Sequence, residues 1–166
     1  LEDALDRLER ARAEIEAAAG GIDPERSPQL WAVNRRTLGT IYIRLGELSR
    51  GPEAPAMFDR GVAELEAALK LLHADYQPLD WALTQQNICL ALYQHGARLG
   101  PAGIDLVREA VQRCRQAAGR LSPTSAALSW GMVKNNVAAS TAILAELEGD
   151  PELLERAADA FREAQQ

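Results

Sequence analysis

The chain has 166 residues, 47% apolar and 25% charged, which suits one soluble globular domain with a sizeable core. Its net charge of −6 argues against nucleic acid as the main ligand, because such binding rests on neutralising phosphates with Lys and Arg. No run reaches the roughly 18 uncharged apolar residues of a membrane helix and nothing at the start reads as a signal peptide, so the expectation is a cytoplasmic protein with no membrane partner.

Residues 1–19 place Leu1, Ala4, Leu5, Leu8, Ala11, Ile15 and Ala18 on one helical stripe, closed by Gly20 and Gly21. A second helix is predicted from about Pro28 to Leu48, with proline in the first turn where its missing N–H is not needed. A third runs from about Ala56 to Leu72, carrying Phe58, Val62, Leu65, Leu69 and Leu72 on one face. Pro78 to Leu99 and Ile104 to Leu121 repeat the pattern around "GPAG". "SPTS" offers hydroxyl caps for a helix from about Thr124 to Leu147. "GDPE" then offers Asp150 as N-cap and Pro151 as first-turn residue for a last helix reaching Gln166. Seven helices with short loops are expected to pack as antiparallel neighbours, with no strand.

The three tryptophans, Trp31, Trp81 and Trp130, recur at a spacing of about fifty residues. Aligned on them, the first helices read "LGTIYIRLG", "ICLALYQHG" and "VAASTAILA", and the second helices "GVAELEAAL", "AVQRCRQAA" and "AADAFREAQ". On these residues the chain resembles the tetratricopeptide repeat family. Leu38, Gly39 and Tyr42 match the first half of its hairpin signature, and Ile88, Cys89 and Leu92, then Val137, Ala138 and Thr141, match with substitutions. Gly61, Leu65 and Ala68, then Ala110, Cys114 and Ala117, then Ala157, Phe161 and Ala164 match the second half, and Ala4, Leu8 and Ala11 fit it too. The long period, about fifty instead of thirty-four, is similar to that of arrays in large bacterial proteins.

The resemblance implies an all-α, right-handed superhelical solenoid of antiparallel hairpins covering 1–166. It divides into an unpaired helix at 1–21 and hairpins at 27–72, 77–121 and 123–166. A start inside one helix and an end inside another read as a piece of a larger protein. The tryptophans are expected to pack the start of each first helix against the preceding hairpin's second helix, with Asp80 and Ser129 as caps; a ligand-facing aromatic ladder is the rival. Cys89 and Cys114 stand where small apolar residues are expected and read as core filling, not as a redox pair.

Catalysis finds little support. HExxH, GxSxG, GxGxxG and GxxxxGK[ST] are absent, as is any metal-ligand spacing, so no enzyme, cofactor or metal is expected. His73 and His95 read as structural or solvated, and the carboxylates of the first helix as partners in charge pairs. In the family the first helices line a concave surface. That surface would carry Arg35, Arg36 and Arg44, then no charge from Trp81 to Ala97, then Lys134.

A neutral-to-basic groove follows, suited to a protein or peptide segment with an acidic group. Arg36 and Arg44 would meet a carboxylate, and Gln86, Asn87, Gln94, Asn135 and Asn136, beside Tyr93, would serve a peptide backbone. Solvated polar faces would explain the same residues. Asn87 matches the family's carboxylate clamp, but Thr40, Met132 and Asn136 depart from it, so that ligand is not carried over. The reading is therefore an interaction or scaffold module. The alternative is an architectural segment that self-associates or packs on its own chain through open solenoid ends, with Leu1, Leu5 and Leu8 meeting a missing helix.

Overall fold

Amphipathic stretches punctuated by Gly, Pro and Ser give seven α-helices, one 3-10 turn and no strand among residues 2–164, which the computed structural model describes. The helices are α1 (Glu2–Ala19), α2 (Pro28–Leu48), α3 (Ala54–Leu69), α4 (Pro78–Leu99), α5 (Ile104–Ala118), α6 (Ala127–Glu148) and α7 (Pro151–Ala164). They gather into two compact units, residues 1–73 and 74–166. None is long and apolar enough to cross a membrane.

Helix boundaries depart from the periodic pattern for local reasons. α3 begins at Ala54 because Pro55 sits in the first turn, where no N–H is required. It ends at Leu69, and the amides of Leu71 and Leu72 bond to the carbonyls of Ala68 and Leu69 three residues back, tightening the last turn. α5 ends in the same way, with Arg120 and Leu121 bonding to Ala117 and Ala118. Ser122 and Thr124 spend their hydroxyls on each other at 2.7 Å, so α6 starts later than expected, after Ala126. Asp150 does cap α7: its Oδ1 accepts the Leu153 N–H at 2.9 Å. The expectation that α7 reaches Gln166, like the role given to Leu1, lies outside the described residues.

In the first unit α2 and α3 run antiparallel and close. A Cβ on Gly39 would fall 2.7 Å from Leu65 Cγ and 2.8 Å from the Gly61 carbonyl oxygen, so glycine is what lets these helices approach. Further along, Gly46 faces the Phe58 ring in the same way. α1 lays Leu5, Leu8, Ala11 and Ile15 onto Leu38, Ile41, Tyr42 and Leu45 of α2. Leu5 and Leu8 thus belong to this core, which corrects their assignment to a missing helix.

The second unit repeats the hairpin in α4–α5 and α6–α7. At the position of Gly46 and Phe58, Gly96 faces Val107, and a Cβ on Gly103 would fall 2.1 Å from the Gly96 carbonyl oxygen. α4 and α6 lie side by side and parallel. Ala82 meets Val133 and Ala117 near their starts, and Tyr93 packs with Leu144, Val107 and Val111 near their ends.

Cys89 and Cys114, both fully buried, are joined by a disulfide from α4 to α5. The expectation of two separate core thiols is corrected. The antiparallel register sets their Cα atoms 5.5 Å apart, within bonding reach, although 25 residues separate them in sequence.

Candidate functional site

Each first-type helix of the second unit carries an uncharged stripe along one face. On α6 the stripe runs Leu128, Met132, Asn135, Ala139; on α4 it runs Leu79, Leu83, Gln86, Leu90. Steps of four and three residues keep each set on one helical face. The fifty-residue repeat makes the two sets positional equivalents, so apolar residues occupy the first two turns and a side-chain amide the third. Leu128 is 80% exposed, and Leu79 and Met132 are exposed as well, while Leu83 is half-buried. In the first unit the equivalent positions of α2 are Gln29, an exposed Val33 and Arg36, so only the middle one is apolar.

Among the described residues, five of the eight exposed large apolar side chains, Leu30, Val33, Leu79, Leu128 and Met132, fall in the first two turns of these helices, and all but Leu30 stand two residues before or after the tryptophan. Scattered apolar exposure is normal for a soluble surface, whereas recurrence at one register is not. Sequence reasoning singled out the polar half of the stripe and missed this apolar half. Its signal was present: the exposed pairs keep the same offsets from Trp81 and Trp130.

The expected groove residues divide between the units. Arg36 and Arg44 lie on α2; Gln86, Asn87, Tyr93 and Gln94 on α4; Asn135 and Asn136 on α6. Arg44 donates to Glu47 at 2.6 Å. Arg35 is engaged within its hairpin, donating to Glu64 of α3 at 2.9 Å. Tyr93 packs into the Val107–Leu144 cluster. The Gln94 Oε1 is buried without a hydrogen-bond partner, and Gln86 is only 6% exposed. Asn87 and Asn136 are partly buried and Asn135 is exposed. Lys134, the one charged residue of α6 before Glu146, reaches Glu163 at 3.5 Å. The α4–α6 surface is accordingly neutral and half apolar.

Trp81, in the opening turn of α4, has a structural role. Trp81 packs on Ala117, Ala118 and Leu121, the end of its own hairpin's second helix, together with Val133. An antiparallel pair brings the start of its first helix beside the end of its own second. Each indole also meets a cation, Trp31 with Arg35 at 4.9 Å, Trp81 with Arg120 at 5.9 Å and Trp130 with Lys134 at 5.7 Å. Asp80 and Ser129 lie inside the first turns and are not caps; Gln77 and Ala126 hold those positions.

Displaced titration elsewhere has a structural cause. In the first unit the Tyr42 hydroxyl donates to Glu16 at 2.5 Å, and Arg12 reaches Glu16 and Glu9. The hydrogen bond from Tyr42, and then the positive charge of Arg12, hold the Glu16 carboxyl below its ordinary range. Burial, reinforced by that bond, pushes the Tyr42 phenol up. This is a polar lock between α1 and α2, with Arg60 stacked 4.8 Å from the Tyr42 ring. Among the described residues, no three His, Cys, Asp or Glu side chains converge to hold a metal ion. In comparisons with known proteins, no family model, curated protein or solved structure matches this chain.

Proposed function

We propose that this chain is a non-enzymatic protein-interaction module of tetratricopeptide-like hairpins, and that the α4–α6 stripe is where it takes a protein segment. The observation that carries the reading is the repeated order of Leu79, Leu83 and Gln86 on one helix and Leu128, Met132 and Asn135 on its neighbour. Burying the apolar turns supplies affinity, at about 25 cal/mol per Å² of apolar surface removed from water. The exposed amide of Asn135, one turn further on, orients a peptide backbone, since it offers both donor and acceptor. In this reading affinity comes mainly from apolar contact, and Arg36 and Arg44 contribute less than the sequence alone suggests.

The test is capture of binding proteins by the intact chain beside Leu128→Asp/Met132→Asp, two exposed positions whose replacement leaves the core intact. A protein retained by the first and lost from the second supports the stripe. An identical set on both overturns it.

One observation favours a second reading, packing against another helix at the end of the second unit. Leu154 of α7 is the repeat equivalent of Val107, which is fully buried against α6, yet Leu154 is 43% exposed. Concentration-dependent mass abolished by Leu154→Glu would support this architectural role, and a monomer at every concentration would overturn it.

A further inference from the structure

The two well-described hairpin seams use different chemistry at matching positions. In α2–α3 the bulky residues of the second helix are Phe58, set against Gly46, and Leu65, set against Gly39. In α4–α5 the equivalents are Val107, set against Gly96, and Cys114, bonded to Cys89. At both positions the α5 residue is smaller than its α3 counterpart, while Cys89 and Ala110 stand where the first seam has Gly39 and Gly61, so the bonded sulfurs fill the space that Leu65 fills there. The flanking residues, Ala82, Ala110 and Ala117, are fully buried but add little more. In the third hairpin the same pair is Ala138 and Phe161, again a small residue and a bulky one.

We infer that the Cys89–Cys114 disulfide, in the place that Leu65 against Gly39 holds in the first seam, closes the α4–α5 hairpin, so that the second unit depends on an oxidising environment. The bond joins helices 25 residues apart in sequence, which limits the unfolded chain. Reduction removes that limit and also crowds the seam, because two thiols need van der Waals separation where two bonded sulfurs do not.

The step is a two-electron exchange. A dithiol reductant attacks one sulfur, the S–S bond breaks, both cysteines leave as thiols after protonation, and the reductant closes its own disulfide. Both cysteines are fully buried, so the attack waits on opening of the hairpin. Bonds of this kind persist in secreted and periplasmic settings and not in the reducing cytoplasm, against the compartment the composition suggests by default. Cys89 lies one turn from Gln86 and Tyr93 on α4. The consequence for the α4–α6 stripe rests on the proposed binding role, while the test below reads the hairpin alone.

The experiment compares thermal melts of the purified chain, air-oxidised and fully reduced with dithiothreitol, with thiols counted in each sample. Reduction is expected to lower the midpoint by on the order of 10 °C. The variant Cys89→Ala/Cys114→Leu rebuilds a small-on-bulky seam, and its midpoint is expected not to respond to dithiothreitol. Equal midpoints for oxidised and reduced chain would overturn the inference, as would two free thiols in the oxidised sample. Should the variant fail to fold, the pair of wild-type melts still decides.

Discussion

Arg35 on α2 donates to the Glu64 carboxylate on α3 at 2.9 Å, one helical turn beyond Trp31, whose ring its guanidinium also meets. The same cross-hairpin link recurs as Lys134 with Glu163. In the middle hairpin its polarity is reversed, with Gln85 accepting from Arg113 at 3.3 Å. The position one turn after each tryptophan therefore serves as a polar tie between two helices of one hairpin. Both Arg35 and Glu64 are mostly shielded from water, so their pair is worth more than a surface one. A double-mutant cycle of Arg35→Met and Glu64→Gln is expected to give a coupling of about 1 kcal/mol. Denaturant unfolding of the four proteins measures it, and additive effects would remove the link's energetic role.

Gly39 is fixed by approach distance and not by backbone conformation. Alanine there would push its methyl into Leu65 and the Gly61 carbonyl. Gly39→Ala is expected to destabilise the first unit by about 2 kcal/mol. Pairing it with Leu65→Ala should not restore full stability, because the backbone oxygen remains in the way. The urea midpoints of single and double variants decide between these contributions.

The lock between Tyr42 and Glu16 makes stability depend on pH at both ends. Glu16 has a lowered folded-state pKa, so its contribution is present above the ordinary carboxyl range and is lost as pH falls through the folded value. Tyr42 has a raised one, so its contribution is present below the phenol's usual value near 10 and is lost as pH rises through the folded value. Tyr42→Phe removes the donor and is expected to cost about 2 kcal/mol at neutral pH. It should also flatten the acid limb of the stability profile, read as unfolding free energy from pH 3 to pH 7. An unchanged acid limb would show that the Tyr42 hydrogen bond does not set the Glu16 titration.

Much of the helical order is legible in the sequence, and for nameable reasons. α2 and α4 run over the predicted spans because Pro28 and Pro78 fix their starts and the loops break sharply after Leu48 and Leu99. α3 and α5 end early because apolar residues such as Leu71, Leu72 and Leu121 continue into a tightened turn, which periodicity cannot tell from helix. The disulfide is invisible to spacing, since only the hairpin register brings position 89 to position 114. In the candidate site, residue type pointed to Asn135, which is exposed, but also to Gln86 and Tyr93, which the fold turns toward the core. Arg44 looked available in sequence because Glu47, three residues on, becomes its neighbour only in a helix.

The indole spacing has a practical consequence for observing this molecule. Each hairpin holds a single tryptophan, partly buried in the opening turns of its first helix and near a cation. Replacing any two with phenylalanine leaves one tryptophan, which can be excited apart from the three tyrosines at the red edge of its absorption. Trp31 then watches the first unit, while Trp81 and Trp130 watch the two halves of the second. Loss of order can thus be followed hairpin by hairpin in emission wavelength, without attaching a dye.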